Sequence, residues 1–171
     1  MAWTLLLAAG QGNRLASATG GLAKQFLDWK GAPLYWESAL VFSRCARVEG
    51  LVFVFPEACI DEERERVAGL MRNASLGIPW KVVAGGALRQ DSVRNGLSAL
   101  PDACMEVLIH DAARPFVSPV LVNRILDGLH GEASGECIAA CIPGIPVVDT
   151  IKVMDEEKKV LATPDRKHLM A

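Results

Sequence analysis

The sequence predicts an α/β fold: a Rossmann-like, doubly wound, mostly parallel sheet with a protruding β-hairpin arm. Three observations carry this. Short apolar runs that read as buried strands alternate with longer segments of helical periodicity, as in a sheet wound on both faces. Two of those runs break straight into glycine, at Gly10 and at Gly85-Gly86. A third ends in Asp111-Ala-Ala-Arg-Pro115, an acid and a base three residues apart. The 171 residues suit a single domain over 1–171, and a 51% hydrophobic composition argues against disorder.

Trp3 to Ala9 is an apolar run, the first strand. Pro33 to Cys45 opens with proline at a first helical position and carries Leu34, Ala39, Val41, Phe42 and Cys45 on a broad apolar face, so it reads as a core helix. Leu51 to Phe55 is β-branched and aromatic, a second strand stopped by Pro56. Asp61 to Asn73 is a charged helix with Val67, Leu70 and Met71 inward, and its acids sit at the amino end, where the helix dipole favours them. Trp80 to Ala84 is a third strand, and Ala87 to Leu97 a helix with Val93, Leu97 and Leu100 on its core side. Val107 to His110 is a fourth strand. Ser118-Pro119 caps and opens a helix to Leu129. Cys137 to Ile142 reads as a fifth strand.

The pattern changes after Pro143. Pro146 to Met154 looks extended, Asp155 to Lys159 is a polar turn, and Val160 to Thr163 returns. A two-stranded ribbon is marginal alone. The arm over 146–166 is therefore expected to pack on a second copy, as a homodimer.

A net charge of −2 gives no basic surface for nucleic acid. No run reaches the ~18–20 apolar residues of a membrane span. Five scattered cysteines without Cys-x-x-Cys spacing suggest a reducing compartment. The expectation is a cytoplasmic protein without membrane or nucleic-acid partners.

The first loop suggests a site. Glycines let a backbone approach a phosphate closely, and successive N–H groups make an anion-binding concavity. Gly10, Gly12, Arg14 and Lys24 would together hold a nucleotide phosphate. The dinucleotide fingerprint is excluded, since its third small residue is here Leu15. A Walker loop is excluded because no Gly-Lys-Ser/Thr closes it.

Four motifs then agree in order and spacing: Ala8-Ala-Gly-Gln-Gly-Asn-Arg14 with Lys24-Gln25, Gly85-Gly-Ala-Leu-Arg-Gln-Asp-Ser-Val93, His110-Asp-Ala-Ala-Arg-Pro115, and Asp149-Thr-Ile-Lys152. Together they resemble the 2-C-methyl-D-erythritol 4-phosphate cytidylyltransferases of the non-mevalonate isoprenoid pathway, over essentially the whole chain. The resemblance implies a nucleotidyltransferase-type sheet and transfer of CMP from CTP to the methylerythritol phosphate, with Mg²⁺ or another divalent cation carried on the CTP phosphates rather than by protein ligands.

It also implies roles. Arg14 and Lys24 are catalytic. Ala8, Ala9, Gly10, Gly12, Gly86, Arg89, Ser92 and Ala112 bind the nucleotide, with Gly86 and Ser92 on the cytosine edge. Asp111 and Arg114, with Thr150 and Arg166 from the partner's arm, bind the polyol phosphate. His110 is expected only to pack. Two positions depart from the family pattern: Ala23, where proline is usual before Lys-Gln, and Ala87, where many members carry an acid. The family also continues beyond the arm, so the chain is expected to be C-terminally incomplete, either a fragment or the front of a bifunctional fusion. Ribitol 5-phosphate or another polyol phosphate is an alternative acceptor. A truncated, non-catalytic nucleotide-binding or dimerisation module is the alternative of another class.

Overall fold

The computed structural model describes residues 1–10, 22–131 and 138–171. It divides into two compact units, Met1–Asn123 and Arg124–Ala171.

The first unit is built on four parallel strands: β1 (Ala2–Leu7), β4 (Val48–Phe55), β5 (Trp80–Ala84) and β6 (Glu106–Asp111), in the order β5-β4-β1-β6. A small antiparallel pair, β2 (Asp28–Trp29) and β3 (Ala32–Pro33), lies outside that sheet and has no counterpart in the sequence reading. Its turn takes Lys30 and Gly31 through positive φ. The helices are α1 (Leu34–Ser43), α2 (Ile60–Asn73), α3 (Arg89–Ser98) and α4 (Pro119–Leu129), the last crossing the boundary between the units.

The period-2 alternation of a strand places successive side chains on opposite faces. Trp3, Leu5 and Leu7 of β1 join Val52 and Val54 of β4 on one face, packed by Val93, Ala99 and Leu100 of the α3 region. Gly96 lets α3 come close there, since a Cβ at that position would lie 2.9 Å from Leu5 Cδ1. Leu97, expected inward, is 41% exposed, and Gly96 and Ser92 are the buried residues of α3. The hydrophobic pattern alone missed this because the contact is made by helix backbone, with no side chain to mark it.

Phe53 and Phe55 point to the other face. Tyr35 meets both edge-on, at 6.0 and 5.0 Å between ring centroids, and Trp36 stacks on Phe53. Each such ring, fully buried, stabilises the fold by roughly 1.5–3 kcal/mol. α2 joins α1 on this face through a buried hydrogen bond from the Tyr35 hydroxyl to Glu63 Oε2 at 2.8 Å. Burial pushes the Glu63 carboxyl up, and it pushes the Tyr35 phenol up further, with the Glu63 charge adding to the effect.

In the second unit, β7 (Val153–Met154) pairs antiparallel with β8 (Val160–Ala162), closed by a turn in which Lys159 N donates to Asp155 Oδ1 at 2.8 Å. The hairpin forms as expected, but shorter. Val147 N donates to Leu169 O, and Ile145 and Ala171 exchange backbone hydrogen bonds. The fifth strand expected at 137–142 does not form over the described residues 138–142. Residues 139, 140 and 142 are exposed. An apolar run becomes a strand only where a neighbour offers a ladder.

Candidate functional site

Chain order reverses at β1, which has β4 on one side and β6 on the other. Ligands in open α/β sheets bind outside the carboxyl ends of the strands at such a switch point. A cavity of about 830 Å³ lies there. All four strand ends contribute: Leu7, Ala9 and Gly10 after β1; Pro56, Glu57 and Ala58 after β4; Gly85 to Arg89 after β5; and Asp111, Ala113 and Arg114 after β6. Lys24, Gln25 and Ser92 complete the lining.

Lys24 begins a 3-10 turn, Lys24–Phe26. Phe26 anchors the turn in the aromatic core, 6.2 Å from Tyr35 and 6.1 Å from Phe55 between centroids. Gln25 is 3% exposed, and its Nε2 donates to both Ala8 O and Gly10 O, each at 2.7 Å. Lys24 is exposed and borders the cavity.

On the opposite wall, Gly85 N donates to Phe55 O at 2.7 Å. A Cβ on Gly85 would run into Ala9 Cβ and sit 2.8 Å from Ser92 Oγ, so only glycine fits this wall. Ser92 is buried, and its Oγ accepts from Gly86 N at 3.1 Å. Asp91 caps α3 by accepting from Leu88 N at 3.1 Å. The amino end of α3, with its partial positive charge, thus opens on the cavity beside Arg89.

The third wall is the turn after β6. Arg114 N donates to Asp111 O at 2.9 Å. Arg89 donates to Asp111 Oδ1 from Nη2 at 3.0 Å and from Nε at 3.3 Å, and Arg114 Nε lies 3.7 Å from Asp111 Oδ2. His110 Nε2 is 3.0 Å from Arg114 O and 3.2 Å from Ser38 Oγ. A carbonyl can only accept, so Nε2 carries the proton. Burial holds the His110 pKa below its ordinary value, and Phe42 packs against the ring edge-on at 5.1 Å. His110 is packed, as expected, but it also ties the Asp111–Arg114 turn to α1.

Lys24, Ala9, Gly10, Gly86, Arg89, Ser92, Asp111 and Arg114 therefore meet around one cavity. Ala8 and Ala112 are buried, and their N–H groups extend the ladders to Val54 O and Leu7 O. Gly12 and Arg14 lie outside the described residues. Thr150 and Arg166 are exposed residues of the second unit, where Arg166 Nη1 donates to Val148 O at 2.8 Å. Gln25 and His110 carry no site role in the sequence pattern alone. The available signals were their positions beside Lys24 and Asp111.

Among the described residues the lining sets three cations, Lys24, Arg89 and Arg114, against two carboxylates, Glu57 and Asp111. The described lining contains no Cys or His, and its one hydroxyl is Ser92. Such a site can hold and neutralise an anion and offer hydrogen bonds to a polar ring. Among the described residues no group of three or more His, Cys, Asp or Glu could hold a metal. Among them, too, no helix is long and apolar enough to cross a membrane.

Fold and cavity define a class: doubly wound α/β proteins whose ligands sit at the carboxyl edge of the sheet. The chain belongs to the family of 2-C-methyl-D-erythritol 4-phosphate cytidylyltransferases, IspD, whose model matches residues 2–171. It is 53% identical over 169 residues to the bifunctional enzyme IspD/IspF of Oleidesulfovibrio alaskensis, covering 99% of this chain and 41% of that protein. It is 32% identical to the 2-C-methyl-D-erythritol 4-phosphate cytidylyltransferase of Alkaliphilus metalliredigens, covering 98% of this chain and 64% of that one. The chain thus spans about two fifths of the length of the bifunctional relatives it matches. The crystal structure of 4-diphosphocytidyl-2C-methyl-D-erythritol synthase from Anaerococcus prevotii shares the fold, with a TM-score of 0.76 at 21% identity over 100% of this chain and 66% of that one.

Proposed function

We propose that the chain transfers CMP from CTP to 2-C-methyl-D-erythritol 4-phosphate, giving 4-diphosphocytidyl-2-C-methyl-D-erythritol and pyrophosphate. One observation carries the reading: in a member of this family, Lys24, Arg89, Ser92, Asp111 and Arg114 converge on one cavity at the sheet's switch point. A phosphate oxygen of the acceptor attacks the α-phosphorus in line, and pyrophosphate leaves. The nucleophile is already anionic, so the chemistry needs positioning and charge neutralisation more than a covalent group. The described cavity lining, with no Cys or His, fits that demand.

In this reading Gly10, with Gly12 and Arg14, cradles the triphosphate, and Lys24 stands by the α-phosphate where negative charge grows. Gly86 and Ser92 read the cytosine edge beside Arg89, with Ala8, Ala9 and Ala112 supplying backbone around the nucleotide. Asp111 and Arg114 face the acceptor.

A divalent cation, Mg²⁺, belongs to this reading as the counterion of the triphosphate. Glu57 and Asp111 are the carboxylates of the cavity lining. Asp111 is already held by Arg89 and Arg114, so such an ion would be carried chiefly by the phosphates and water, with Glu57 the other carboxylate of the described lining. It would neutralise phosphate charge. We further propose a cytoplasmic homodimer joined by the arm at 146–166, with Thr150 and Arg166 contributed to the partner's acceptor site. Exposed apolar side chains on that arm, Val148, Val160 and Leu161 among them, support the pairing.

Pyrophosphate release with CTP and a panel of polyol phosphates tests the activity. Release that depends on CTP and on the methylerythritol phosphate is expected. Equal turnover with ATP, or a preference for ribitol 5-phosphate, would overturn the assignment.

A further inference from the structure

We propose that Gln25 is a positioning residue for the triphosphate half of the site, a single buried amide that locks the end of the first strand, Ala8 to Gly10, and the Lys24 turn into one fixed relation. The inference rests on the cytidylyl-transfer reading and adds a residue to which that reading gives no task.

A glutamine side chain has two amide hydrogens. Both are committed here, to the carbonyls of Ala8 and Gly10, at distances near the short end of the N–H···O range. The two acceptors flank Ala9, which borders the cavity. A carbonyl oxygen turned toward a phosphate repels it, whereas an N–H attracts it. In a trans peptide the C=O and the following N–H point in opposite directions. Drawing the Ala8 carbonyl onto Gln25 therefore aims the Ala9 N–H away from Gln25, and Gly10 O is turned onto the same amide. The amide thus keeps two repelling oxygens from a phosphate.

The same side chain acts on Lys24 through the backbone. In the 3-10 turn, Phe26 N donates to Ala23 O at 2.9 Å and Leu27 N to Lys24 O at 3.2 Å. Gln25 and Phe26 are both held inward, one by the loop carbonyls and the other by the Tyr35 and Phe55 rings. With its two successors anchored, Lys24 has a fixed origin at the cavity rim. A glutamine that merely filled space would need no such pair of bonds, and a leucine would fill it as well.

The test uses Gln25→Leu and Gln25→Glu in the full chain, with calorimetry against inorganic tripolyphosphate and, separately, cytidine. Gln25→Leu should weaken tripolyphosphate binding by about ten- to hundredfold, the scale of two lost hydrogen bonds, and weaken cytidine binding far less. Gln25→Glu should be worse, because a carboxylate would face two carbonyl oxygens. With CTP as substrate, kcat should fall along with the rise in KM. Equal weakening toward both probes, or no change toward either, would overturn the proposal while leaving the cytidylyl-transfer reading intact. A wild-type chain that bound neither probe would overturn that reading and the inference with it. One measurement needs no variant: in the wild-type chain both Gln25 side-chain amide protons should be protected from exchange by NMR, and a freely exchanging pair would overturn the proposal whether or not the variants fold.

Discussion

Arg89, the first residue of α3, holds Asp111, the last residue of β6, by two donors on one carboxylate oxygen, 3.0 Å from Nη2 and 3.3 Å from Nε. The pair joins two cavity walls that are 22 residues apart in sequence. Its side chains are 64% and 40% exposed, so water screens it and its contribution to stability is about 0–1 kcal/mol. Its consequence lies in binding. Arg89→Gln should leave the thermal midpoint nearly unmoved and raise the KM for CTP by roughly tenfold or more, the scale of one charge-assisted hydrogen bond. A large drop in melting temperature with unchanged KM would show the pair to be structural instead.

Lys24 is offered to the cavity by a turn whose other two side chains are anchored. If it meets charge that appears only as the α-phosphorus is attacked, its removal affects the transition state more than the ground state. Lys24→Ala should lower kcat on the order of 10²-fold or more, with a smaller change in the KM for CTP. Steady-state kinetics decide it, and an unchanged kcat would reduce Lys24 to a rim charge.

Gly85 has no room for a methyl group between Ala9 and Ser92. Gly85→Ala must push the β5–α3 loop outward or displace the Ser92 hydroxyl that accepts from Gly86 N. Overpacking of this kind costs about 1–3 kcal/mol. Cytidine affinity should fall along with stability. Chemical unfolding and calorimetry on the same sample measure both, and a variant with wild-type affinity would show that this wall does not read the nucleotide.

The buried Tyr35–Glu63 pair gives stability a pH dependence separate from catalysis. Burial raises the Glu63 pKa, with Arg66 Nη1 at 3.3 Å opposing the shift in part. A carboxyl raised on folding contributes stability that is fully present below its unfolded value near 4.3 and is lost as pH climbs through the folded value. The difference in unfolding free energy between wild type and Glu63→Gln should therefore move against the wild type as pH rises from about 4 toward neutrality. A difference that stays constant with pH would mean that Glu63 ionises as freely in the fold as in the unfolded chain.

These tests bear unevenly on what the sequence made legible. The four parallel strands could be read because each holds a short apolar run, as Leu51 to Phe55 shows, although β5 and β6 are only partly buried. The site could be read because its glycines and cations sit at strand ends in a fixed order. Other features lacked such a signal. Gln25 looks like any polar loop residue until its amide is seen between two carbonyls. Glu63 reads as one more acid of a solvated helix, although its partner Tyr35 lies 28 residues earlier in sequence. The apolar stretch 138–142 carries a strand's composition, and composition does not say whether a neighbour is present to pair with it.

The hairpin bears on the last prediction. β7 and β8 together contain only Val153–Met154 and Val160–Ala162, too little to be stable alone in water. Around them Ile145 is 73% and Val148 77% exposed, and Val160, Leu161 and Met170 are each more than half exposed. Apolar surface of this kind marks an interaction site more often than a free face. A second copy related by a two-fold axis would cover it reciprocally, with each copy giving the same contact. Arg166 already turns its guanidinium to Val148 O, so it is held in register with the exposed residues of the arm and keeps further donors for a phosphate. Two results are expected. Deleting 146–166 should give a monomer that still binds CTP and transfers nothing. Mixing an Arg166→Ala chain with a Lys24→Ala chain should restore part of the activity, because one of the two sites in the mixed dimer then has both residues intact. Sedimentation of the full chain as a compact monomer, or mixed dimers verified by mass that remain inactive, would rule out a site completed by the partner's arm.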